Sequence, residues 1–284
     1  MQLTVNEIYR HFLSNAKWVD EHRTNDKIRH GNKEKQVRKV GVAWSACVQN
    51  LRAAAEDQCD LFISHENPFQ WPWGEEHAAQ TKWYKQRMQV LTETDMALIN
   101  LHDTWDHWPE YGIRDAWSRM LKLGQLIREM DYIHPGNKHV TTGSNSLGIY
   151  SVAETTVREF ASKMCRMTEG FGSNGVTVMG SPEAKVTAVA LGVGCHIPTF
   201  EALGEGTDLL IMVYDRADQQ LTRIPLVEEG ANLIVTEHSI AEIPAMSEMC
   251  IYLEKQFPQL EVCFYNHEPR SYVYSAQSPE LSWN

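Results

Sequence analysis

Residues 59–68, Cys-Asp-Leu-Phe-Ile-Ser-His-Glu-Asn-Pro, are the stretch on which the fold prediction depends. A short apolar run bounded by an acidic residue and by Asn-Pro is typical of a buried β-strand rather than a helix. Pro68 then ends the strand. We therefore expect a buried strand that carries two side chains capable of binding metal, His65 and Glu66, to one position at its end.

The same pattern recurs in residues 207–215, Thr-Asp-Leu-Leu-Ile-Met-Val-Tyr-Asp, where Asp208 takes the place of Asp60. Each copy follows a strand-like apolar segment, residues 40–44 or 186–191, and then a short helix-like piece. The repetition predicts a duplicated βαβ unit. A chain built from such units adopts an α/β fold, here with two related lobes.

The chain of 284 residues is long enough for one large domain or for two of medium size. The duplication favours two lobes, residues 1–135 and 146–284, which form a single intertwined unit. Between residues 131 and 146 the chain is rich in Pro, Gly and Asn, which predicts the junction. We expect a metal site in the cleft between the lobes.

Each half continues with a second apolar run that ends in a histidine, His102 in the first half and His238 in the second. A carboxylate follows each histidine four positions later, Asp106 and Glu242 respectively. Residues four apart lie on one face of a helix, so an imidazole and a carboxylate at this spacing can converge on one ion. The pattern predicts that both segments meet at one metal site.

The composition is that of an ordinary globular protein, with 43% hydrophobic and 22% charged residues. A net charge of −11 argues against a nucleic-acid-binding surface, which needs a basic stripe. The sequence contains neither a charged-then-apolar leader nor an apolar run of membrane-spanning length. Its six cysteines form no Cys-x-x-Cys pair, which favours buried free thiols in a reducing compartment. We therefore expect a cytoplasmic protein with a small-molecule substrate.

Apolar spacing predicts further helices over residues 75–93, 111–130 and 151–167. Residues 20–39 are crowded with charges, which predicts a solvated loop. The apolar segment 261–265 near the end of the chain predicts a final or edge strand.

The loop after Glu66 is rich in aromatic side chains, with Trp71 and Trp73 on either side of a proline. The two indole rings could line a slot for a planar substrate. They could equally pack a contact between lobes or subunits. We keep both interpretations, and Trp71 and Trp73 are the candidate substrate-binding residues under the first.

Three segments resemble, in order and spacing, the motifs of a known family: His65 after its strand, residues 102–106 and residues 238–242. They are similar to the motifs of the Nif-three-like dinuclear-metal proteins, also named GTP cyclohydrolase 1 type 2 homologues. Further segments similar to this family are residues 180–182, 192–194 and 230–238. The resemblance implies two α/β lobes around a pair of divalent metal ions, and assembly into a ring-shaped homohexamer.

The sequence departs from the family pattern at Glu66, where the family commonly has a second histidine. An oxygen ligand in place of an imidazole adds negative charge and hardens the site. Such a site favours manganese, iron or magnesium over zinc. The glycine-rich pattern that is usual in the family near residues 20 to 35 is also missing.

The candidate metal ligands are His65, Glu66, His102, Asp106, His238 and Glu242. Two divalent ions, Mn, Fe or Zn, at roughly 3.5–4 Å from each other can lower the pKa of a water molecule and polarise an electrophile. Asp106 and Glu242 are the candidate catalytic residues, because a carboxylate has two oxygens with which to bridge two ions. A Gly-x-Ser-x-Gly segment is absent from the sequence, so covalent catalysis has little support.

The first functional hypothesis is a metal-dependent hydrolase that acts on a small cyclic amide, amidine or nucleotide-like molecule. The alternative is a metal-binding, ring-forming scaffold or regulator without significant turnover. An open coordination position that faces a substrate slot favours the hydrolase, and ligands sealed behind a closed loop favour the scaffold.

Overall fold

The structure, a computed structural model, describes residues 3–70, 72–131, 138–142, 145–173, 175–192, 199–216 and 218–273. The strands of these residues are β1 Leu3–Thr4, β2 Lys27–His30, β3 Gln36–Val37, β4 Lys39–Ala43, β5 Leu61–Ser64, β6 Ala97–Asn100, β7 Leu126–Met130, β8 Leu147–Thr156, β9 Thr177–Met179, β10 Lys185–Gly192, β11 Leu209–Val213, β12 Asn232–Thr236 and β13 Glu261–Phe264. The helices are α1 Val5–Asn15, α2 Val48–Glu56, α3 Glu75–Ala78, α4 Lys82–Thr94, α5 Asp103–Asp106, α6 Ile113–Met120, α7 Val157–Thr168, α8 Thr199–Gly204, α9 Ile224–Glu228 and α10 His238–Gln256. Together they form the α/β fold that the sequence predicts.

The first sheet has the strand order β13-β4-β5-β6-β2. Its first four strands are parallel, and β2 is an antiparallel edge strand. Side chains alternate along β5, so that Leu61 and Ile63 pack in the core with α1 and α10, whereas Phe62 packs against α2 and α4 on the other face. In a sheet covered on both faces, binding sites form at the carboxyl ends of the parallel strands. His65 follows one of those ends.

The second sheet has the strand order β7-β8-β10-β11-β12-β9. β10, β11 and β12 are parallel, β8 and β9 pair with them antiparallel, and the edge strand β7 pairs antiparallel with β8. β11 again alternates, with Leu209 and Ile211 packed against α7 and Leu210 packed against α8 and α9. This sheet is also covered by helices on both faces.

The predicted repeat is visible in equivalent hydrogen bonds of Asp60 and Asp208, which precede β5 and β11. Asp60 Oδ2 accepts hydrogen bonds from the backbone N–H groups of residues 38 and 39, at 2.8 and 3.2 Å. Asp208 Oδ2 accepts them from residues 187 and 188, at 2.7 and 2.9 Å. Each aspartate thus fastens the start of its strand to the neighbouring strand. Both halves contain the same strand-helix-strand unit.

Helices α6 and α10 belong to the cores of both sheets. In α10, Ile240 packs in the core of the second sheet and Met246 in that of the first. In α6, Ile113 packs in the first core and Trp117 in the second. Strand pairing crosses over as well, because β7 joins the second sheet and β13 joins the first. The lobe boundaries at residues 135 and 146 stay a prediction.

Two of the predicted helices are wrong in part. The helix predicted over 111–130 ends at Met120, and β7 follows, because pairing with β8 satisfies its backbone. The helix predicted over 151–167 begins only at Val157, after β8 has run through Thr156. Thr156 caps α7 with its hydroxyl and therefore fixes that boundary.

Two further local predictions need correction. The helix predicted over 75–93 is divided into α3 and α4, and Thr81 caps the second. The charged stretch 20–39, predicted to be a solvated loop, contains β2 and β3 and the fully buried Asp26. No helix among the described residues is long and apolar enough to cross a membrane.

Candidate metal centre

His65 is fully buried directly after β5. Its Nδ1 lies 3.0 Å from the backbone oxygen of Leu101. Because a carbonyl only accepts, this contact places the ring proton on Nδ1 and turns Nε2 towards the carboxylates. Nε2 lies 3.4 Å from Asp106 Oδ1 and 3.3 Å from Glu242 Oε2, and it has no hydrogen-bond partner among the described residues.

The segment that carries His102 and Asp106 is the short helix α5, with His102 as its N-terminal cap. The two side chains lie on one face, with His102 Nδ1 3.5 Å from Asp106 Oδ2. The rings of His65 and His102 stack at 4.7 Å between centroids. Asp103 Oδ1 also contacts His102 Nδ1, at 3.1 Å, and so orients that imidazole ring.

The carboxylate of Asp26 fixes the start of α5 through hydrogen bonds. One of its oxygens accepts hydrogen bonds from the backbone N–H groups of His102 and Asp103, at 2.6 and 3.0 Å, and the other accepts one from Thr104 at 2.8 Å. These are the N–H groups that a helix start leaves unpaired. Burial and the neighbouring Asp103 raise the pKa of Asp26 to about 6.

The second lobe contributes His238 and Glu242 from the first turn of α10, directly after β12. His238 Nε2 lies 2.7 Å from Glu242 Oε1, and its Nδ1 lies 2.9 Å from Asp215 Oδ2. Glu242 is buried, and its Oε2 accepts a hydrogen bond from Trp44 Nε1 at 2.8 Å. His238 therefore lies between two carboxylates, and Trp44 orients one of them.

The side chains of both lobes form one continuous chain of contacts in the order His102, Asp106, His65, Glu242 and His238. The sequence-based prediction that the two segments lie together is in agreement with this arrangement. It comes about because every contributing segment follows the carboxyl end of a parallel strand.

The arrangement fits a cation. One atom each from His65, His102 and Asp106 lie within 4.8 Å of one another, and so do atoms from His65, Glu66 and Glu242. His65 Nε2, Glu66 Oε1 and Asp106 Oδ1 are buried without a hydrogen-bond partner among the described residues. Buried polar atoms of this kind are costly unless something binds them. The buried group could therefore hold a metal ion.

The charges of the centre also favour a cation. Burial by itself lowers the pKa of His65, but Glu242 and Asp106 outweigh it and raise that pKa to about 10. Burial opposes ionisation of Asp106 and Glu242 too, yet the neighbouring histidines hold the pKa of both carboxyl groups below its ordinary value. The carboxylates thus stay ionised and attract positive charge, whether protons on imidazole or a metal ion.

Two adjoining cavities give access to the centre. The larger, of about 480 Å³, is lined by Trp44, Glu66, Gly172, Asp215, Glu237, His238, Ser239, Pro269 and Ser271. The smaller, of about 220 Å³, is lined by Asn25, Glu66, Asn67, Gln70, Asn100, His102, Asp215 and His238. They share Glu66, Asp215 and His238, and together form a cleft, the name used below for both.

The two tryptophans of the aromatic loop, Trp71 and Trp73, are the predicted substrate-binding residues. Trp73 is 68% exposed and is not among the described residues that line either cavity. Trp71 lies outside the described residues. Their substrate-binding role stays a prediction.

Sequence reasoning missed Trp44, Asp26 and Asp215. Asp215 follows β11 as Asn67 follows β5, so the repeat offered a signal for it. No comparable signal in the sequence pointed to Trp44 or Asp26, because their hydrogen-bond partners are remote in the sequence.

Comparison with known proteins identifies the family of this chain. The model of the Duf34/NIF3 (NGG1p interacting factor 3) family matches residues 5–270, nearly the whole chain. The chain belongs to this family. A curated relative, the GTP cyclohydrolase 1 type 2 homolog of Deinococcus radiodurans, is 25% identical over 224 residues, which are 78% of either chain.

Several solved structures share the fold of this chain. The protein ybgI, of unknown function, superposes with a TM-score of 0.74 at 18% identity, over 95% of this chain and 100% of its own. A Bacillus cereus protein related to NIF3 superposes with a TM-score of 0.72 at 14% identity, over 97% of this chain and 100% of its own. At these identities the likeness concerns the fold.

Proposed function

We propose that this protein is a divalent-metal-dependent hydrolase that acts on a small cyclic amide, amidine or nucleotide-like molecule, with two metal ions held by His65, Glu66, His102, Asp106, His238 and Glu242. The observation that carries the proposal is a set of buried atoms of His65, Glu66 and Asp106 that have no hydrogen-bond partner among the described residues and lie beside an accessible cleft. The name of the Deinococcus relative is consistent with cyclohydrolase chemistry.

The protein's own residues prepare this site. Leu101 holds His65 by its Nδ1, Asp103 holds His102, and Trp44 holds Glu242. Asp106 and Glu242 each place one oxygen within 3.4 Å of His65 Nε2, so these three side chains would hold a metal ion together. When bound, a pair of divalent ions supplies Lewis acidity and lowers the pKa of water. Burial of both carboxylates keeps bulk water away from them.

The proposed ligand set is compatible with Mn, Fe or Zn. Glu66 supplies an oxygen near His65 and Glu242. Replacement Glu66→His is expected to shift preference towards zinc over manganese by about tenfold, since an imidazole is the softer ligand. Competition titrations of both metals against wild type and variant measure the ratio. An unchanged ratio would mean that Glu66 is not a ligand.

Trp44 offers a test of how the ligands are held. Replacement Trp44→Phe keeps an aromatic ring but removes the N–H that bonds Glu242 Oε2. We expect about a 10- to 100-fold loss of metal affinity, the usual effect of losing an outer hydrogen bond to a ligand. Trp83→Phe, in α4, is the matched control. Equal metal affinities for wild type and Trp44→Phe would contradict the role assigned to Trp44.

Assembly and location complete the proposal. We place the protein in the cytoplasm as a homo-oligomer, a hexameric ring by family resemblance, without nucleic-acid or membrane partners. The five cysteines within the described residues are free thiols, which suits a reducing compartment. The boundaries 1–135 and 146–284 belong to the same proposal.

The test of the hydrolase is a screen of cyclic amides, cyclic ureas, purines and pterins with manganese-, iron- and zinc-loaded protein, alongside elemental analysis. Metal-dependent turnover of at least one class is expected. If metal is confirmed in place and every class fails with every metal, the scaffold hypothesis replaces the hydrolase.

A further inference from the structure

The cleft has an excess of negative charge. The carboxylates that belong to the centre or line the cleft are Glu66, Asp103, Asp106, Asp215, Glu237 and Glu242. Two divalent ions would bring four positive charges against these six negative ones. Among the described residues that line the two cavities, none is a lysine or an arginine.

One cation, Arg29, contacts two of the residues that line the smaller cavity. Arg29 donates from Nε to Asn100 Oδ1 at 2.5 Å and from an NH2 group to the backbone oxygen of Asn25 at 2.6 Å. It reduces the excess of negative charge by one without reversing it. A phosphate group brings up to two further negative charges, and like charges repel strongly in a partly dry cleft.

Four of the residues that line the smaller cavity carry carboxamides, Asn25, Asn67, Gln70 and Asn100, and are called the carboxamide wall below. Asn100 is fully buried, and because Arg29 can only donate, its contact fixes which end of the amide is oxygen. The other end, Nδ2, has no hydrogen-bond partner among the described residues. A carboxamide offers a donor and an acceptor side by side, which match the amide edge of a heterocycle.

The lining of the larger cavity includes an indole ring. Trp44 lines the larger cavity, and the hydrogen bond from its Nε1 to Glu242 holds the indole in place. Aromatic faces next to carboxylates bind planar rings, and they bind them more tightly when the ring is positively charged.

We propose that the cleft selects a compact heterocycle that is neutral or cationic, has an amide edge and carries no phosphate. The carboxamide wall binds its amide edge, Trp44 packs on its ring, and Asp215 and Glu237 exclude phosphorylated forms. This inference rests on the proposed function, whose substrate class it narrows. It separates nucleosides and free bases from nucleotides such as GTP.

Equilibrium binding to metal-loaded and to metal-free protein tests the inference without any turnover. The probes are guanosine, guanosine monophosphate, GTP, cytidine and creatinine, together with purine riboside, which lacks the amide edge. We expect guanosine to bind at least about tenfold more tightly than GTP, and at least about tenfold more tightly than purine riboside. Tripolyphosphate, tested as a competitor, controls for simple chelation of metal.

Variants assign the selectivity to residues. The double variant Asp215→Asn, Glu237→Gln is expected to reduce the ratio of guanosine affinity to GTP affinity by at least about threefold, because two repelling charges are lost. The control variant removes two exposed carboxylates elsewhere, by Glu56→Gln with Glu229→Gln. It should leave the ratio of guanosine affinity to GTP affinity unchanged. Asn100→Asp keeps an acceptor for Arg29 but replaces the Nδ2 donor, and should weaken guanosine binding by about tenfold.

Three results would overturn the inference: GTP binding as tightly as guanosine, purine riboside binding as tightly as guanosine, or no binding of any neutral probe at millimolar concentration. With metal present by elemental analysis, each of these leaves the proposed metal centre standing. The opposite result is a protein that binds no metal but selects guanosine over GTP. It would refute the metal-dependent function and support the cleft's selectivity.

Discussion

Asp106→Asn is expected to lower metal affinity by about a hundredfold or more and to remove metal-dependent turnover. Asp106 is buried with one oxygen 3.4 Å from His65 and the other 3.5 Å from His102. Loss of a hydrogen bond to a ligand already costs about 10- to 100-fold, so loss of the anionic ligand itself should cost at least the upper end of that range. Isothermal titration with manganese and zinc measures the affinity.

The fold should survive this substitution, since asparagine has nearly the same shape. Circular dichroism and thermal unfolding of the metal-free variant check that point. Asp95→Asn is the matched control, because Asp95 is exposed with a left-handed backbone that asparagine readily adopts. Full metal affinity in the Asp106 variant would exclude this carboxylate from the centre.

Trp105→Ala is expected to lower the free energy of unfolding by about 3–5 kcal/mol, the usual range for removal of a buried aromatic side chain. Trp105 is fully buried, stacks on Trp108 at 5.6 Å, and donates from Nε1 to the backbone oxygen of Ala245 at 3.0 Å. It therefore joins α5 to α10, the two helices that bear the candidate carboxylates. Urea unfolding monitored by circular dichroism gives the value.

Trp105→Phe keeps an aromatic ring and should cost clearly less than the alanine variant. A loss below about 1 kcal/mol for Trp105→Ala would contradict the assigned role, because only surface substitutions are usually that mild. Metal affinity should fall in parallel, since α5 loses its anchor.

The repeat was the most informative signal in the sequence. It identified β5 and β11 from their apolar runs. It also located His65, His102 and His238 after strands that the structure places among the parallel strands of the two sheets. Local patterns suffice here because strand and turn chemistry is itself local. Convergence of the segments could be expected because all of them follow parallel strands.

Other features depended on partners remote in the sequence. Asp26 is buried because three N–H groups of a helix that starts 76 residues later require an acceptor. Residues 151–156 alternate weakly and are strand only because β10 pairs with them. Trp44 reaches Glu242 across 198 residues. No periodicity in one sequence encodes such contacts.

Strand β13 has a consequence for how this chain is made. It pairs with β4, more than 200 residues earlier, and Tyr265 just beyond it bonds Asp57. During synthesis on the ribosome, the edge of β4 that pairs with β13 therefore stays open until residues 261–264 have emerged. Contacts between such distant segments close slowly, and an open strand edge invites pairing with other chains. An edge of β4 that stays unpaired until β13 has been made is therefore the place where premature association of nascent chains would begin.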